Sequence, residues 1–485
     1  KPSTVSSFCK RTCYLNFSLY PSHLFRLVTL LLFNLSSTLS VFSSLSSRDQ
    51  IDIMFRRRWS GLPRDPKFSS DLEELGYFIN DEDEVRNIED RKYYFKFLLS
   101  KNDRVNDRQR FHFNEAIRDV VHARLEKEGL AKVLLPLDAT PTERNLPIFV
   151  SGNIASASRV VVVFGEPSQD LGNMALRVAN GPGGINKGSM VSVVQELKRQ
   201  TASASDPSPP GIILANTGEL WWWPEGKKAL SPVSVMGVPM KSMVHHGRAR
   251  NPDLHTIPRN ESPMAHVQYM LDEVIPALVS STARIDVIAI GLSADNVTRA
   301  LDNPQTWASL GDKLNTLSLL GSSTSIDELS HETLKQFLPA RARAYVGDDT
   351  PALTPLARPG GNPNQATFTR HGCSVFASGE AYYVELMLIA GLVPMLAWLQ
   401  EVALAGPGYR HPDVVPVEPH MPTDEEWAAA SGFDKAWEEM PEFAKPSIGY
   451  ALPREAQEQL KVMEGIVQHA EAQAEKQKTG TEGDD

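Results

Sequence analysis

Cysteine is almost missing from this chain: its 485 residues hold three, Cys9, Cys13 and Cys373. Thiols so few and so spaced build neither a disulfide framework nor a zinc ligand set, which suits a reducing compartment. A basic excess is missing too. The net charge is −10, and short strips such as Arg56-Arg57-Arg58 do not make the basic face that phosphate backbones require, so no direct nucleic-acid binding is expected. Clean apolar runs are scarce. LVTLLLFNLSS (27–37) is broken by Ser and Asn, and the apolar stretch 381–403 carries Glu385, Pro394 and Gln400, so it reads as a core helix and no membrane partner is expected. No internal repeat recurs at a fixed period.

Methionine is absent before Met54, and acidic residues are absent before Asp49. At Met54 the character changes to MFRRRWSGLPRDPKF. Residues 1–53 therefore read as a mis-annotated upstream segment or a disordered one, with a secretory signal as the other reading. Residues 54–67 read as a flexible start and 68–405 as one domain. Residues 406–453 form a Pro- and acid-rich arm. Residues 454–485 read as a helix, carrying Leu460, Val462, Ile466 and Val467, and a disordered acidic tail.

What is present is a regular alternation. A helical period runs through 106–129, with Phe113, Ile117, Val120, Val121 and Leu125 on one face and Gly129 closing it. Continuous apolar runs predict strands at 132–137, 147–152, 159–165, 211–218, 285–291, 316–321, 342–347 and 366–372, with helices between them. Runs such as RVVVVFG are expected of strands buried on both faces. The fold class is α/β: a mostly parallel sheet with helices on both faces, a three-layer sandwich followed by an extended arm and helix.

The chemistry gathers at the ends of these strands. RIDVIAIGLSADN (284–296) is a strand that meets Gly-Leu-Ser, which is how α/β-hydrolases present a nucleophile, although Asp295 stands where their elbow has Gly. In hydrolase order, Gly165-Glu166-Pro167 takes the oxyanion-loop position, Ser293 the nucleophile, Asp348 or Asp349 the acid and His371 the base. Each part is chemically poor. Glu166 brings negative charge where oxyanion donors belong, and Pro167 has no N–H. Ser293 is explained as a helix cap, with Asp295 in the first turn; GDDTP and His371-Gly372 suit turns. No catalytic residue is expected, and Ser293, Asp348 and His371 are vestigial candidates.

Other features rank lower. NGPGGINKGS (180–189) lacks the P-loop order and reads as a loop. His245, His246, His255 and His266 have no ligand spacing, so no metal and no cofactor is expected. Trp221, Trp222 and Trp223 cannot all face one core, so at least one is expected to meet a crevice or a partner.

Taken together, DLEELGYFINDEDEVRNI, LPIFVSGNIASASRVVVVFGEPSQDLG, GIILANTGELWW, RIDVIAIGLSADN, ARAYVGDDTP and HGCSVFASGEAYYVE resemble the fungal argonaute-binding (Arb-two) domain family over about 68–405. The resemblance implies a degenerate α/β-hydrolase fold, found also at the C-terminus of fungal class II histone deacetylases. It further implies a non-enzymatic subunit of an argonaute siRNA chaperone complex that serves heterochromatin assembly. Its partners would be argonaute, a companion chaperone subunit or chromatin regulators, in the nucleus with or without a cytoplasmic pool. The alternative is an esterase-like serine hydrolase using Ser293, Asp348 and His371.

Overall fold

A computed structural model describes residues 61–244, 248–418 and 423. The chain divides into Lys1–Leu62 and Pro63–Asp485, and the following concerns the second unit. The expectations for 1–53, for His245 and His246, and for 454–485 lie outside the described residues.

Thirteen strands occur among the described residues: β1 Tyr77–Ile79, β2 Val85–Asn87, β3 Leu130–Leu135, β4 Leu146–Ser151, β5 Arg159–Phe164, β6 Gly211–Ala215, β7 Trp221–Trp223, β8 Lys228–Leu230, β9 Arg284–Ile290, β10 Leu314–Leu320, β11 Ala342–Val346, β12 Pro355–Ala357 and β13 Ser374–Ala377. Nine of them form one sheet in the order β12-β13-β11-β10-β9-β5-β6-β4-β3. From β13 to β6 every pairing is parallel, while β12, β4 and β3 join antiparallel at the two sides. The order reverses about β5, since β6 lies on one side of it and β9 on the other. This is the strand order of the α/β-hydrolase fold, and such a reversal opens a crevice at the carboxyl ends of the strands.

The period-2 alternation of β5 explains the three layers. Val160, Val162 and Phe164 enter one apolar core, and Val161 and Val163 enter the other. The first core is covered by α3 (Pro263–Tyr269), α4 (Leu292–Leu301) and α5 (Glu332–Arg341). The second is covered by α1 (Asp103–Lys127), α2 (Met190–Leu197), α6 (Val384–Ala390) and α7 (Leu392–Ala405). The single long helix expected within 381–403 is two helices bent by 69°. The break falls at Gly391, where a Cβ would meet Met395 Cε at 2.5 Å. Among the described residues no single helix is long and apolar enough to cross a membrane.

Within 54–67, Asp65 bridges Arg104 at 2.6 Å and Arg108 at 3.4 Å and accepts the Met240 N–H. One further expectation changes. The expected strand at 366–372 is irregular, and the strand that joins β11 is β13, beginning at Ser374.

One polar knot crosses the second core. Arg159 opens β5 and Asp286 lies on β9, both essentially unexposed, with Nε to Oδ2 at 2.5 Å. Asp286 Oδ1 also accepts from Asn315 and Thr316 of β10, at 2.8 and 2.7 Å. Arg159 donates onward to Thr201 O and Gln200 Oε1, and Gln200 donates to Leu396 O of α7. Removing one partner leaves a buried charge without compensation. Asp286→Ala is therefore expected to cost about 3–5 kcal/mol of unfolding free energy. Urea denaturation reads this, and an unchanged midpoint would show the pair to be dispensable.

Candidate active-site region

β9 ends at Ile290, and the sharp turn into α4 is made by Gly291 with φ 61° and ψ −132°. That strained left-handed backbone belongs to the apex of a nucleophile elbow, where the reacting side chain stands exposed above the sheet. Here the apex has no side chain. The pattern small-x-apex-x-small is Ala289-Ile290-Gly291-Leu292-Ser293, so Ser293 falls two residues beyond the apex. This corrects the expected placement, which put Ser293 itself at the elbow. Ser293 is fully buried within α4, and its Oγ donates to Gly165 O at 2.6 Å. It is not the helix cap either: Gly291 is the N-cap and supplies no side-chain bond.

The space above the apex is taken by Glu166. A Cβ on Gly291 would lie 3.0 Å from Glu166 Cγ and 3.1 Å from its Oε1. Glu166 is held there by Ser168, whose N–H and Oγ donate to Oε2 at 3.0 and 2.6 Å. The Gly165 carbonyl accepts from Ser293 and from Thr217 Oγ1, the latter at 2.7 Å. The expected oxyanion loop thus directs a carbonyl oxygen and a carboxylate side chain at the elbow.

Asp295, which stands where the hydrolase motif has Gly, turns away from the elbow. Its carboxylate accepts from Ser322 Oγ, from the N–H and Oγ of Ser323 and from the N–H and Oγ1 of Thr324, all at 2.7–3.0 Å. Burial disfavours its charge, but the bonds from Ser323, Ser322 and Thr324 outweigh that and hold its pKa below the ordinary aspartate value. It ties the start of α4 to the loop after β10.

No hydrogen bond joins any two of Ser293, Asp348 and His371. Asp348 does follow β11, the place of a triad acid, but Oδ1 accepts the N–H and Oγ1 of Thr350 and Oδ2 accepts Gln365 Nε2. His371 precedes β13 rather than following it. Its Nδ1 faces Thr324 O at 3.2 Å, and its buried Nε2 has no partner. Burial lowers its pKa although the nearby Thr324 and Phe368 backbone favours the charged form. The segment after β13, where a base would sit, reads Ser378-Gly379-Glu380. It still abuts the acid position, with Asp348 N–H donating to Glu380 O at 3.2 Å.

The tryptophans part company on β7. Trp222 enters the first core, Trp223 packs edge-on to Phe111, and Trp221 lines a cavity of about 380 Å³ with Pro167, Leu220 and Val235. The glycine-rich loop spends its N–H groups inside the fold, since Ile185 and Asn186 donate to Asp83 O and Oδ2. His255 accepts the Asn251 N–H. Among the described residues no three His, Cys, Asp or Glu side chains converge as metal ligands.

Sequence reasoning missed a buried ionic cluster beside β6. Glu219 lies 3.7 Å from Arg118 and accepts from Asn216 Nδ2. Burial, reinforced by nearby Asp170, pushes Glu219 up to about 7 against the pull of Arg118. His266 is equally enclosed: Nδ1–H donates to Asn260 Oδ1 at 2.7 Å and Nε2 accepts the Asn216 N–H at 3.2 Å.

Two outcomes are expected. Gly291→Ala should destabilise by about 1–3 kcal/mol through the positive φ alone, and more through Glu166. Glu166→Ala should relieve part of that loss in a double-mutant cycle, and additive losses would remove Glu166 from the account. Burial pushes the His266 pKa down to about 3, so the unfolded chain takes up its proton first. Stability should therefore be lost as pH falls from about 6.5 towards 3. Relative to wild type, His266→Gln should flatten that slope in pH-resolved urea melts; an identical slope would assign the acid sensitivity elsewhere.

Several solved structures are similar to this chain, among them three bacterial enzymes. The poly(3-hydroxybutyrate) depolymerase LpqC of Bordetella parapertussis is 13% identical, over 67% of this chain and 96% of that one, at TM-score 0.24. Esterase LipW of Mycobacterium marinum is 13% identical, over 61% and 64%, at 0.23. A thermostable esterase of Pseudomonas putida ECU1011 is 8% identical, over 60% and 88%, at 0.26. No curated protein matches. The Arb2 domain profile matches residues 68–352. With more than half of its length so matched, the chain belongs to the Arb2 domain family.

Proposed function

We propose that this protein is a non-catalytic interaction module of RNA-silencing-directed heterochromatin formation, acting in the nucleus on argonaute or a companion chaperone subunit. The observation that carries the non-catalytic half is the elbow apex: Gly291 offers no nucleophile, and Glu166 lies where one would stand. Family membership and its implied role support the partner half. The alternative, a serine hydrolase using Ser293, Asp348 and His371, requires Ser293 Oγ to leave Gly165 and a base to approach it.

A fluorophosphonate probe separates the two readings. No labelling is expected, and labelling that disappears in Ser293→Ala would establish the hydrolase. For the partner, a tagged full-length chain should retain argonaute or a chaperone subunit from nuclear extract. Retention of neither would overturn that assignment.

A further inference from the structure

The cavity beside Trp221 opens at the carboxyl edge of the sheet, between the segments that follow β5 and β6. Its walls are apolar, made by Pro167, Leu220, Trp221, Leu230, Val235 and Pro263. Arg248, Arg250 and Glu261 also line it, with Glu261 Oε1 engaged by the Arg259 N–H. Arg248 is ion-paired with Glu225, whereas exposed Arg250 has no carboxylate partner among the described residues and makes a 3.3 Å bond to Glu261 O. An apolar hollow beside an unmatched guanidinium fits an aromatic side chain flanked by carboxylates.

Such a segment exists in this chain. Residues 424–443, DEEWAAASGFDKAWEEMPEF, hold seven acidic residues against one lysine, and four aromatics. They lie outside the described residues, but the point from which they depart is known. The preceding arm runs along β12: Arg358 Nε donates to Val414 O, and Val417 N–H to Pro355 O. Pro355 pairs with Phe376 near the carboxyl end of β13, so the arm leaves at the same edge of the sheet that holds the cavity.

Reach selects the anchor. The arm lies one spacing outside β12, so seven strand steps separate it from β6, roughly 34 Å at about 4.8 Å each. Trp427 is nine residues beyond Glu418, about 30 Å when extended, which falls short. Trp437 is nineteen residues beyond it, at most about 63 Å, and is followed directly by Glu438 and Glu439. We infer that the 424–443 segment docks on its own domain, with Trp437 in the cavity and the neighbouring carboxylates on Arg250. The contact is an intramolecular plug, independent of which protein the domain serves.

Hydrogen exchange of the full-length protein tests it. Trp437→Ala and Arg250→Glu should each speed exchange of peptides covering 217–221 and 230–235 several-fold, leaving β9 and β10 unchanged. Adding Glu438→Arg and Glu439→Arg to Arg250→Glu should restore protection, which a merely unfolded variant would not show. Exchange unmoved by Trp437→Ala would overturn the plug. So would protection that rises with protein concentration, since it would assign the cavity to a second copy.

Discussion

The centre of this fold is a charge held where water cannot reach it. Arg159 and Asp286 sit on adjacent central strands, and either alone would be costly to bury. Their remaining hydrogen-bonding capacity is spent on Asn315 and Thr316 of β10 and on Thr201 and Gln200, which continues to α7. Arg341 at the end of α5 extends the set through Asn315. The knot therefore fixes three parallel strands and two helices at the amino ends of the strands. Alternating valines and isoleucines supply the bulk attraction but are poor at choosing one helix position over another; directional bonds supply that choice.

At the carboxyl edge the same scaffold keeps the turn of a nucleophile elbow, with a glycine at its apex. The backbone at Gly291 still makes the sharp turn, and a residue without Cβ both tolerates the positive φ and admits Glu166. Ser293 closes the turn from below by bonding Gly165, and Asp295 ties α4 to the loop after β10. Polar groups that could be mistaken for chemistry are thus engaged in holding loops. The cavity beside Trp221 opens at this same edge, apart from the elbow.

Much of this was legible in the sequence. Seven of the eight expected strand runs match to within two or three residues, because double-faced burial demands near-continuous apolar stretches. The oxyanion-loop position and Asp348 also fall at the ends of β5 and β11, as their order implied. The errors have a common cause. Ser293 was misplaced by two residues, since periodicity does not mark where strand becomes turn and only the backbone at Gly291 does. His371 was assigned to a strand that does not form; register with β11 decided that Ser374 begins the strand. The Glu219–Arg118 cluster joins residues about a hundred positions apart and leaves no local trace.

The sequence by itself determined the layers, seven of the nine strands along the sheet and the departure from the hydrolase motif, because each depends on burial patterns and residue types within a short span. Tertiary structure alone decided which residue stands at the apex, what fills the space above it and which tryptophan faces a cavity. Those outcomes depend on strand register and on close approach between distant segments, where a shift of one residue turns a side chain to the opposite face.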